Sequence, residues 1–183
     1  MRYLLLALCL ASVPALADTR ADMRKAELDA LLKSLSAAPD EDAAAALEER
    51  IKQIWINEGT PAVTLLMSRG LRDLANHAPD EAEQDFDAVI TLQPDLAAAY
   101  ERRAVARFDA GDYAGALSDI EVTLQHEPRD FVALQTLSRI AEARGDFKGA
   151  LLAWKKSLEI DPKTPGGDKR LKELTRKVEG EAI

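Results

Sequence analysis

The amino-acid sequence predicts an all-α protein, a short solenoid of stacked helical hairpins, and three observations carry that expectation. Ala, Leu, Glu and Asp abound while aromatics make up 5% of the 183 residues, a composition that suits helices over sheets. Proline recurs at a spacing of 34 residues, at Pro94, Pro128 and Pro162. Twelve residues before each stands an alanine: Ala82, Ala116 and Ala150. A period of this length marks one supersecondary unit that buries its apolar face only by stacking on its neighbours.

Taken in order, residues 1–17 read as a secretory signal peptide. Arg2 gives a short positive start, Tyr3 to Leu10 an unbroken apolar run, and Ala15-Leu16-Ala17 the small-x-small pattern cleaved before Asp18. The apolar run is too short to span a bilayer as an uncleaved anchor. Cys9, the sole cysteine, lies inside this segment with Leu8 before it, which argues against lipidation. The mature chain would then form no disulfide and rely on packing alone. Export without lipid, disulfide or membrane span points to the periplasm as the expected location.

Residues 18–61 read as a degenerate, lengthened helical hairpin that caps the array at its N-terminal end. Leu28, Leu31, Leu32 and Leu35 stripe its first helix; Leu47, Ile51, Ile54 and Trp55 stripe its second. Three repeats follow within residues 62–162, at 63–96, 97–130 and 131–162. In each, a small residue of the first helix (Gly70, Ala104, Ser138) faces the alanine of the second, so that the two can approach closely. Four residues after each alanine a large side chain (Phe86, Ile120, Trp154) fills the space beyond. Gly111 and Gly145 suit the end of a first helix, and Asp112 and Asp146 can cap the second. Residues 163–183 supply a breaker, Thr164-Pro165-Gly166-Gly167, and a polar capping helix with Leu171, Leu174 and Val178 on one side.

This pattern of small residue, alanine, large apolar residue and proline resembles the tetratricopeptide repeat (TPR) family over about 100 residues, Val63 to Pro162. The copy from Ala97 to Pro128 matches best, with Tyr100, Ala104, Gly111-Asp112-Tyr113, Ala116 and Pro128 in register. Two copies depart from the family together. Where a leucine is usual they carry Arg69 and Arg103, and in the second helix they carry Asp85 and Asp119; the third copy has Leu137 and Ala153. The covariation predicts ion pairs Arg69–Asp85 and Arg103–Asp119 within the repeats. The alternative is that all four side chains reach to water.

No catalytic constellation is present. His77 takes the turn position held elsewhere by glycine and reads as an exposed loop residue. His126 takes a slot filled elsewhere by Leu92 and Ile160, so it is expected to pack against the next hairpin rather than bind a metal. No metal-ligand spacing, phosphate loop or nucleophile elbow appears, so neither metal nor cofactor is expected. Without residues 1–17 the net charge is 23 − 32 = −9, which argues against nucleic acid as a partner. The charge is uneven. Asp18 to Leu96 holds 8 basic and 17 acidic residues, and Phe131 to Ile183 holds 11 basic and 8 acidic.

The resemblance implies a concave groove, lined by the first helices of the repeats, that takes a protein or peptide. Residue by residue it would present Met67, Leu71 and Leu74, then Glu101, Val105 and Phe108, then Gln135, Arg139 and Glu142. The N-terminal hairpin either leaves this groove open or covers it; both remain possible from sequence. Met67, Leu71 and Val132 stand where cochaperone TPR domains carry their carboxylate-clamp residues, so clients of that kind are not expected. The leading functional reading is a periplasmic interaction module, an adaptor or assembly factor, monomeric or weakly oligomeric and not an enzyme. A self-associating structural protein is the second reading, and a carboxylate-dependent hydrolase the last.

Overall fold

The computed structural model describes residues 15–57 and 59–180 of the chain. The expected signal peptide lies mostly outside them, and the cleavage point expected after Ala17 falls in the first turn of helix α1, Ala15–Ser36. Eight further helices follow among the described residues, with no strand. They are α2 (Glu41–Ile56), α3 (Pro61–Ala75), α4 (Pro79–Leu92), α5 (Ala97–Asp109), α6 (Tyr113–His126), α7 (Phe131–Ala143), α8 (Phe147–Ile160) and α9 (Gly167–Glu179).

Local chemistry sets most of the boundaries. Asp40, Asp112, Asp130 and Asp146 each accept the backbone N–H three residues on, capping α2, α6, α7 and α8. Thr60 and Pro61 start α3, and Pro79 with Asp80 and Glu81 starts α4. The turns inside the hairpins need a left-handed residue. Gly111 and Gly145 supply it in two of them, whereas in the first His77 adopts φ 58°. His77 is exposed, as its turn position predicts.

Pairs α3–α4, α5–α6 and α7–α8 form the three hairpins, each packed on the next. The small-residue contact is tight. A Cβ on Gly70 would lie 2.7 Å from the Phe86 ring, too close for any side chain to stand there without a shift. In the third hairpin Ser138 donates to the Ala150 carbonyl at 2.8 Å across the same contact. Phe86 and Ile120 are fully buried beyond it.

The N-terminal hairpin sits differently from a simple end cap. Helix α2 lies against α5, and α1 against α8, so the pair crosses the three repeats instead of stacking on the first. Leu35, Ile51 and Trp55 join Met67, Ala98 and Phe131 in one buried cluster. Each such fully buried side chain contributes about 1.5–3 kcal/mol, which outweighs the modest entropy of folding back a short connection. The chain turns back at Gly59, where a Cβ would lie 2.2 Å from Val63 Cγ1. At the other end α9 packs on α8 through buried Leu174, and Trp154 Nε1 donates to the Gly167 carbonyl at 3.2 Å.

Candidate partner-binding surfaces

The inner face is built by one side of α3, α5 and α7, and its two halves differ. Its N-terminal half, at the starts of these helices, is occupied by the chain itself. The Trp55 ring lies 5.5 Å from that of Phe131, and Lys52 Nζ stands 5.7 Å over the same Phe131 ring. Glu48 accepts from Thr164 Oγ1 at 3.3 Å and pairs with Lys52 at 2.7 Å. Arg129 binds Asp29, 100 residues away in sequence, at 2.6 Å.

This seam encloses acids. Glu101 is 3% exposed, with Arg102 Nε at 2.8 Å. Burial pushes the Glu101 carboxyl up from its ordinary range, opposed by the charges of Arg102 and Lys52. Asp130 is raised to about 7, first by burial and then by the charge of Glu101. Asp161 is also raised to about 7, by burial and by Glu48 beside it.

The predicted groove residues therefore divide. Met67 is fully buried in the core cluster, and Glu101 is sealed under the hairpin; neither faces a partner, which corrects the expectation for both. The physical reason is the N-terminal hairpin: α2 lies against α5 over Glu101, and Leu35, Ile51 and Trp55 share one buried cluster with Met67. Leu71, Leu74 and Val105 are half-buried, and Leu74 packs against the same core. Phe108, Gln135, Arg139 and Glu142 come together. With Trp154, Pro165 and the α9 residues Arg170 and Lys177 they line an open cavity of ≈ 690 Å³. Arg139 stacks over the Phe108 ring at 4.3 Å and stands 3.4 Å from Asp109. Glu142 is held by Arg170 and by Lys177, which draw its carboxyl below the ordinary range. His126 is exposed at the end of α6, as Leu92 is at the end of α4. The expectation that it packs on the next hairpin is thus corrected, because that slot points outward in both repeats.

The paired substitutions meet. Both Nε and Nη2 of Arg69 donate to the Asp85 carboxylate. Arg103 donates to Asp119 from Nε at 2.9 Å and from Nη2 at 2.6 Å. Arg103 also reaches Asp87 at 2.6 Å and lies 5.5 Å from the Tyr100 ring. Arg107 bridges Asp119 at 2.9 Å and Glu83 at 2.7 Å. The side chain of Arg69 is 58% exposed and that of Arg103 16%, because the preceding hairpin, through Asp87 on α4, covers the second pair, whereas no hairpin stacks in that way ahead of the first. Among the described residues no group of three His, Cys, Asp or Glu side chains could hold a metal, and no helix is long and apolar enough to cross a membrane.

The chain is 31% identical over 156 residues to a TPR repeat-containing protein of Rhizobium etli, an alignment spanning 85% of this chain and 76% of that one. The protein belongs to the TPR family. Solved structures agree with this at the level of the fold. The Sgt2 TPR domain of Aspergillus fumigatus superposes with a TM-score of 0.62 at 24% identity, over 66% of this chain and 81% of that one. The first TPR of Spaghetti (RPAP3), solved bound to an HSP90 peptide, superposes at 0.60 with 18% identity, over 63% and 91%. No family model matches the chain.

Proposed function

We propose that this TPR protein is a periplasmic protein-interaction module, an adaptor or assembly factor that seats a peptide or helix on its inner face. The carrying observation is the arrangement of that face: α2 already lies along one half of it, and the other half is an open cavity of ≈ 690 Å³. Helix-in-groove binding is thus the geometry this face adopts with its own chain. The peptide bound by the Spaghetti TPR supports a peptide ligand here too. Its client type does not carry over, since Met67 and Leu71 occupy two clamp positions and Met67 is buried. A fitting segment would place an apolar side chain against Phe108 and Trp154 and an acidic one near Arg139, Arg170 and Lys177. The signal-like N-terminus and the lack of any cysteine after Cys9 support the periplasmic assignment.

Affinity capture from an envelope extract tests the reading, with the whole chain and its Arg139→Glu variant as baits. Arg139 is exposed, so the change leaves the fold intact. Loss of a partner with the variant is expected. Equal recovery by both baits would place binding elsewhere and end the inner-face reading.

A further inference from the structure

The third hairpin lacks the Arg–Asp pair of the other two, and the structure shows what stands in its place. On the outer face, between α6 and α8 and above α7, lies a cleft of ≈ 470 Å³ lined by Leu117, Leu124, Leu134, Leu137, Leu152 and Ala153. Counted 34 residues back, Leu117 corresponds to Glu83, Leu137 to Arg103, Ala141 to Arg107 and Ala153 to Asp119. These four earlier residues form the ion-pair network that fills the equivalent space between the first and second hairpins. One junction is sealed by charge, and the next is apolar and open.

We infer that this outer cleft is a second docking site, and that it takes an amphipathic helix whose apolar stripe is flanked by acidic residues. It lies on the opposite side of α7 from Gln135 and Arg139 and is independent of the inner-face reading. Three observations choose the occupant. The floor runs from Leu134 through Leu137 to Ala141, seven residues or about 10 Å, which matches two turns of a helix offering anchors at i, i+4 and i+7. Leu152, on the wall, is 59% exposed, so the cleft opens along its length to a segment of chain. The rim is basic: Arg144 and Lys156 stand at opposite ends, while the nearby Asp146 carboxylate caps the Gly149 N–H. Charge complementarity therefore asks for acids at both ends of the docked helix. A second copy fits poorly, because the apolar face of its most acidic helix, α4, is buried through Phe86 and Val89.

The test uses the whole chain and a fluorescent synthetic helix of about 14 residues, about 21 Å long, with leucines at i, i+4 and i+7 and glutamates at both ends. A matching peptide carries lysines instead. Anisotropy is read for the wild type, for Leu137→Arg with Ala153→Asp, and for Leu152→Glu. The double variant installs the pair that seals the neighbouring junction, and Leu152 is exposed; circular dichroism checks that both stay folded. The expected result is binding of the acidic peptide roughly tenfold tighter than the lysine peptide, with a loss of at least about tenfold in each variant. Raised salt should weaken it further. Equal affinity for the two peptides, or affinity unchanged in the variants, overturns the site. So does a dimer of the free chain that Leu152→Glu abolishes, which would give the cleft to a second copy.

Discussion

The first and second hairpins meet through Glu83, Asp87, Arg103, Arg107 and Asp119, whereas the second and third meet through Leu117, Leu137, Ala141 and Ala153 at four of the corresponding positions. Both junctions join the second helix of one hairpin to the first of the next at corresponding positions 34 residues apart, so the contrast falls on the side chains at those positions. Charged residues satisfy one another across the first junction and close it. Leucine and alanine are shorter and unpaired, and they leave a cleft behind. A repeat array can thus keep its scaffold while making one junction structural and the next available.

The sealed junction depends most on Asp119, which is 3% exposed and accepts from both Arg103 and Arg107. Asp119→Ala leaves two arginines without their shared partner and should cost about 3 kcal/mol in urea unfolding, or about 6–12 °C in Tm. Arg103→Leu with Asp119→Ala copies the third hairpin at these two positions and should cost only about 1 kcal/mol, because the guanidinium of Arg103 goes with its carboxylate and Arg107 keeps Glu83. If the double variant is as damaged as the single one, stranded charge is not the reason.

A second prediction separates both junctions from the seam under α2. Asp130 and Asp161 are raised to about 7 from 3.8, so the folded chain keeps protons that the unfolded chain releases. Below about pH 4 both states hold these protons and the stabilising contribution is complete; it is lost as pH rises toward 7. Glu142, drawn the other way, loses its contribution only as pH falls below the ordinary carboxyl range. The unfolding free energy from urea titration should therefore be higher at pH 5.5 than at pH 7.5, by on the order of 1 kcal/mol. Glu48 and Lys52 face Asp161 and Glu101 across the seam, and Arg102 and Glu127 face Asp130. Asp161→Asn should reduce the slope, and Leu137→Arg with Ala153→Asp should leave it unchanged.

The smallest effect concerns the turns. His77 holds a left-handed conformation that Gly111 and Gly145 adopt freely. His77→Gly should stabilise the first hairpin by about 0.5 kcal/mol in the same unfolding assay, and a loss of stability would contradict the account of that turn.

Most of the fold was legible because the repeat is local. Proline, alanine and small residues at a spacing of 34 constrain hairpins whose contacts lie close in sequence. The Arg and Asp positions pointed to one another for the same reason, since an acid and a base that change together at neighbouring slots share a cause. The seat of α1 and α2 was not legible. It depends on Trp55 meeting Phe131 and Glu48 meeting Thr164, contacts far apart in sequence that leave no periodic trace. Hence Met67 and Glu101 read as groove residues although they are buried. The outer cleft had a signal, Leu137 with Ala153, but its consequence needed Leu117 and Leu152 from the helices on either side.

The claim that one junction is sealed and the next is open to a partner is tested most directly by leucine-methyl NMR of the whole chain titrated with the acidic-ended helix. Shifts at Leu117, Leu137 and Leu152, with Leu71 and Leu74 unmoved, are the predicted result. Shifts at Leu71 and Leu74 with none at those three positions would contradict it.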